Sequence, residues 1–157
     1  MHPLNLVVLI LSFVAVSCGN NSSGYSKILK SSVDKMISNQ VLTDDELLAI
    51  IPSSEKEFSE FYSYTYPEKD SSVHKVFYQI DNLIIKNATE NKNGFLKKYL
   101  ELAIFVDGEY AESYAEESEF IICKNPTSFC GLYENLSQRS KEFFEDQYLE
   151  YCKKSNK

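Results

Sequence analysis

The chain is poor in residues that interrupt helices, with five Gly and four Pro among 157 residues. So few breakers argue against disorder away from the two ends, and 43% hydrophobic with 13% aromatic residues supply the material for a core. Histidine is scarcer still, two in all, and only His74 lies beyond the N-terminal apolar segment. One imidazole excludes a histidine pair at metal spacing, and the chain has neither a Gly-rich phosphate loop nor a nucleophile elbow. His74 borders an apolar helical stripe with Asp81 two turns later, a geometry that could orient a base, but such a residue is read as surface. Two carboxylates across a cleft can cleave a glycosidic bond, yet acids spread over amphipathic helices are solvated faces. No enzyme, cofactor or metal is therefore expected. Basic residues are also in the minority: 16 Lys and Arg against 23 Asp and Glu leave a formal charge of −7. Such a surface repels nucleic-acid phosphates and favours a basic protein partner.

No apolar run reaches the ~20 residues that a transmembrane helix needs. The longest, Leu4 to Val16, is interrupted only by Asn5 and Ser12 and ends at Ser17 and Cys18. That length fits the apolar region of a signal peptide. The polar stretch GNNSSG after Cys18 buries little and is suited to a tether.

The junction Ala15-Val16-Ser17-Cys18 resembles the lipobox of bacterial lipoproteins, and the resemblance covers residues 1–24 only. It implies cleavage before Cys18, acylation of Cys18, and attachment to a bacterial membrane through the lipid, facing the periplasm or the surface. Residues 1–17 are then a signal peptide, 18–24 a lipidated tether, and 25–157 a single helical domain of ordinary size. The first five residues, MHPLN, lack the Lys or Arg usual in a secretory signal. The alternative is a secreted protein of eukaryotic type, with Cys18 removed or paired. In that route Asn20, Asn21, Asn87 and Asn135 would begin glycosylation triplets.

Beyond Tyr25 the strong periodicities are helical. The clearest apolar stripe is Val73, Val76, Phe77, Ile80, Leu83 and Ile84, at three- and four-residue steps. A looser stripe, Ile28, Leu29, Val33, Met36 and Ile37, precedes it. Thr43 caps a helix that stops at Pro52, and Ser54 with Glu57 predicts a capping box for the next, which Pro67 ends. After a turn at 91–94, FLKKYLELAIFV is apolar around most of its circumference and belongs at the centre. Asp107 and Gly108 break it, and a helix follows to Lys124. Further helical segments lead to Phe144, Tyr148 and Cys152, one above another. The fragment YSYTY alternates over five residues, too few to outweigh its helical context. The expected fold is all-α, a compact bundle or irregular array of about six to seven antiparallel helices.

Disulfides persist outside the cytosol. With Cys18 acylated, Cys123, Cys130 and Cys152 allow one bridge and one free thiol. Cys123 with Cys130 is favoured, across the turn KNPTSF. Cys130 with Cys152 follows closely, if 130–137 run extended beside the last helix. Between Lys98 and Lys124 there is no basic residue, and Glu109, Glu112, Glu116 and Glu119 share one strip of a helix. The strip is either a solvated face or a docking surface for a basic partner. By analogy with small acidic anchored proteins that inhibit basic toxins or wall-lytic enzymes, the expectation is a non-catalytic binding, inhibitor or immunity-type module held in the envelope; a structural component of an envelope assembly is the further alternative.

Overall fold

In the computed structural model, which describes residues 24–66 and 71–153, every regular element is helical and no strand occurs among those residues. The nine α-helices among the described residues are α1 (Gly24–Ile37), α2 (Asp44–Ile50), α3 (Glu55–Thr65), α4 (Ser71–Thr89), α5 (Phe95–Glu101), α6 (Gly108–Lys124), α7 (Pro126–Tyr133), α8 (Gln138–Phe143) and α9 (Glu145–Tyr148). A 3₁₀ turn, Leu102–Ile104, extends α5, and a π-type turn, Leu149–Lys153, extends α9. The all-α expectation holds, with more and shorter helices than the periodicity suggested. The added divisions fall at Leu102 and Phe144, where apolar residues continue and no Gly or Pro marks a break.

The early boundaries follow from capping chemistry. Thr43 Oγ1 accepts from the Glu46 amide at 3.2 Å, and the Glu46 carboxylate accepts from the Thr43 amide at 3.0 Å. This reciprocal box satisfies two N–H groups that the first turn leaves open, and such a cap contributes about 1 kcal/mol. At α3, Ser54 Oγ accepts from the Glu57 amide at 3.2 Å, but the Glu57 carboxylate turns to the Ser53 amide and hydroxyl, at 2.8 and 2.6 Å. The expected box is thus shifted by one residue at its return bond. YSYTY is helical through Thr65, whose hydroxyl donates to the Phe61 carbonyl at 2.7 Å. The 91–94 turn uses left-handed backbone at Asn91 (φ 52°) and Gly94 (φ 83°), conformations that glycine and asparagine reach at low cost.

Helix α5 lies in the middle, as its all-round apolarity predicts: Phe95, Leu96, Tyr99 and Leu100 are all buried. Helix α4 packs against it and against α6, while α1 covers α2, α3 and α4. The α4 stripe runs through buried Val76, Phe77, Ile80 and Ile84 to Ala88. Polar bonds secure the packing at its joints. Tyr25 donates to the Ile50 carbonyl at 2.8 Å, Lys98 Nζ to the Leu48 carbonyl at 2.7 Å, and Asn125 Nδ2 to the Thr89 carbonyl at 2.9 Å. Each satisfies a backbone oxygen near a helix end, where the intrahelical ladder leaves carbonyls open.

The last third corrects the favoured disulfide. Cys130 bonds to Cys152, with Cα atoms 5.6 Å apart, and Cys123 is a free, exposed thiol. The second pairing is thus realised, but by another route than the one expected for it. Residues 130–133 are helical, not extended, and the chain reverses at Glu134–Ser137 so that α7 and the C-terminal turn run side by side. Tyr133 and Tyr148 stack face to face in this hairpin, centroids 3.9 Å apart. Cys123 instead sits on the outer side of α6.

Candidate partner-binding face and buried carboxylates

Helix α6 divides cleanly into two faces. Tyr114, Ser118, Ile121 and Ile122 are buried at three- and four-residue steps, and Asn125 continues that line. Tyr114 is wholly inaccessible, and its hydroxyl donates to the Tyr99 carbonyl at 2.8 Å. With that stripe held against the core, residues half a turn away must point outward. Glu112, Glu116 and Glu119 do so, and none forms an ion pair among the described residues. Glu109 belongs to the first turn of α6, while its side chain lies outside the described part. Ala115 is exposed as well.

The same outer face carries Phe120, 52% exposed, and the Cys123 thiol beside the Tyr151 hydroxyl. Lys124 reaches back over the Phe120 ring at 5.5 Å. The face is therefore not purely polar: beside the three carboxylates stands an aromatic ring large enough to bury against a partner. Phe120 went unnoticed in the sequence because its i−4 neighbour, Glu116, marks that side as solvated.

On the inner side of α6 two half-buried acids meet tyrosines. Tyr110 donates to Asp81 Oδ1 at 2.9 Å, and Tyr99 donates to Glu117 Oε2 at 3.3 Å. Burial raises the Asp81 carboxyl above its ordinary range, against the lowering effect of the Tyr110 bond. Glu117 is pushed up to about 6, by burial first and then by the Asp81 charge. The phenols of Tyr99, Tyr110 and Tyr114 are raised by burial as well, so all three are held as neutral donors. Asp81 thus bonds to a tyrosine of α6, and the His74 side chain lies outside the described part. Periodicity could not reveal this network, because each bond joins residues from different helices or turns.

Cys18 lies outside the described residues. No helix among those described is long and apolar enough to cross a membrane, and they contain no cluster of three or more His, Cys, Asp or Glu able to hold a metal ion. Asn87, one of the four glycosylation triplets, is 5% exposed on α4. No family model, no curated protein and no solved structure matches the chain.

Proposed function

We propose that the protein is a lipid-anchored, non-catalytic helical module of the bacterial envelope that binds, and through binding inhibits or neutralises, a basic protein partner. The observation that carries this reading is the outer face of α6, where Glu112, Glu116 and Glu119 stand exposed beside Phe120 and form no ion pair among the described residues. Like charges at i,i+4, as in Glu112 and Glu116, cost a helix a few tenths of a kcal/mol. A basic partner turns that repulsion into attraction and steers association, while an exposed aromatic ring beside the strip supplies an anchor that binding desolvates. The Cys130–Cys152 bridge supports an oxidising compartment. Asp81 and Glu117 serve packing and electrostatics in this reading, not bond making.

Capture from envelope extracts by immobilised protein, followed by association kinetics with the captured partner, tests the proposal. Replacing Glu112, Glu116 and Glu119 by Gln should slow association and flatten its dependence on salt, and Phe120→Ala should speed dissociation. A triple variant that keeps full affinity at low ionic strength removes this face from the interface.

A further inference from the structure

Between α3 and the start of α6 lies an open cleft of about 480 Å³, within the range of small-ligand sites, ~300–1,000 Å³. Its walls are aromatic: Phe58, Tyr62, Phe105 and Tyr110 all line it. Phe58 stacks on Phe105 at 6.0 Å between centroids and lies 6.4 Å from Tyr110. Among the described residues of the lining only Glu55 and Asp107 are charged, both negative, and neither has an ion-pair partner among the described residues. Asp107 precedes α6 as its N-cap, yet its carboxylate makes no capping bond.

A second and independent feature lies behind the wall. The Tyr110 hydroxyl is committed to Asp81, a half-buried carboxylate of α4 with no cation paired to it among the described residues. A phenol that donates to a carboxylate gains electron density, and its ring face then attracts cations more strongly. The open N–H groups of α6 oppose this with about half a positive charge. Two rim carboxylates outweigh it.

We infer that this cleft is a binding site for an organic cation, an alkylammonium or alkylguanidinium group seated against its aromatic lining with its charge toward Glu55 and Asp107. An inorganic cation would gain little from the aromatic part of the lining, and an anion would meet the two acids. A neutral apolar ligand would leave those carboxylates unused. The inference does not rest on the partner-binding reading: Tyr110 lies on the side of α6 away from Glu112, Glu116 and Glu119, so either can fail alone.

Choline and its uncharged isostere 3,3-dimethyl-1-butanol have nearly the same shape and differ in charge. Titrated into the full folded chain and followed by amide NMR shifts, choline or butylguanidinium should perturb residues around Phe58, Tyr62, Phe105 and Tyr110, and the neutral isostere should not. N-acetyl-arginine amide distinguishes the source of the cation. Tighter binding than butylguanidinium supports the site and assigns its occupant to a polypeptide, and equal or weaker binding supports the site and assigns it to a free small molecule. The exposed pair Glu55→Gln with Asp107→Asn spares the core and should weaken choline roughly three- to tenfold. Tyr62→Leu should weaken it further while leaving the unfolding midpoint of the remaining core cooperative. Equal shifts from choline and its isostere, or none localised to the cleft, would overturn the inference. So would full choline affinity in the Glu55→Gln, Asp107→Asn variant.

Discussion

Glu101 and Ser137 meet across 36 residues of chain: the Glu101 carboxylate accepts from the Ser137 amide at 2.8 Å and, through its second oxygen, from the Ser140 hydroxyl at 2.9 Å. A negative group is thereby placed where α8 leaves amides open, so the end of α5 fixes the position of the C-terminal third. Hydrogen bonds to a charged group contribute ~1.5–3 kcal/mol. Glu101→Ala should lower the unfolding free energy by about that amount in urea, and Glu101→Gln by less, since an amide oxygen still accepts one bond. An alanine variant within about 0.5 kcal/mol of wild type would show the contact to be incidental.

Closing a loop of 22 residues by the Cys130–Cys152 bridge should stabilise the fold by about 3 kcal/mol in the chain-entropy picture. Paired replacement of both cysteines by alanine should cost roughly that much. Cys123→Ser, at an exposed thiol, should change stability by under ~0.5 kcal/mol. Non-reducing peptide mapping of native protein should recover the 130–152 peptide pair and an alkylated Cys123. A 123–130 peptide would reverse this assignment.

Acid should affect the fold through Glu117. Its folded value near 6 exceeds the ordinary 4.5 because burial and the Asp81 charge disfavour ionisation, with Glu116 adding to the effect and the Tyr99 bond opposing it. The native state then binds the proton more tightly than the unfolded chain. Stability should fall as pH rises from about 4.5 to about 6 and level off above. Asp81 is raised in the same direction and adds to the slope. Glu117→Gln should reduce the slope and raise the melting temperature at pH 7; identical pH profiles for the two proteins would contradict the assignment.

Helix α1 separates what periodicity can and cannot tell. Its existence was legible, but the inner face belongs to Tyr25, Leu29, Ser32 and Val33, leaving Ile28 44% and Ile37 50% exposed. Hydropathy ranks isoleucine as core and serine as surface. It does not register that the Tyr25 hydroxyl finds the Ile50 carbonyl, which turns the helix toward its tyrosine. Leu29→Ala should therefore cost ~2–5 kcal/mol and Ile28→Ala well under 1 kcal/mol, measured by chemical denaturation. The acidic strip of α6 could be read from spacing because solvated residues need no partner elsewhere. The Asp81–Tyr110 bond and the cleft could not, because they arise where α3, α4 and α6 converge, and one-dimensional periodicity carries no information about helix crossings.

The anchor is testable without the fold. Wild-type protein expressed in a bacterial host should incorporate labelled fatty acid, and Cys18→Ser should not, accumulating as precursor or soluble product. Absence of label in the wild type would remove the lipoprotein assignment and leave the secreted alternative.

The Cys130–Cys152 bond also makes the end of the chain a covalent ring, with the reversal at Glu134–Ser137 inside it. Glu134 and Asn135 are exposed there, and exposed reversals are the usual first targets of proteases. A single cut at that point would open the ring without shedding a fragment. Both pieces would migrate as one species until a reductant separates them, so in an oxidising, protease-rich surrounding the molecule could be nicked and still keep its C-terminal hairpin in place.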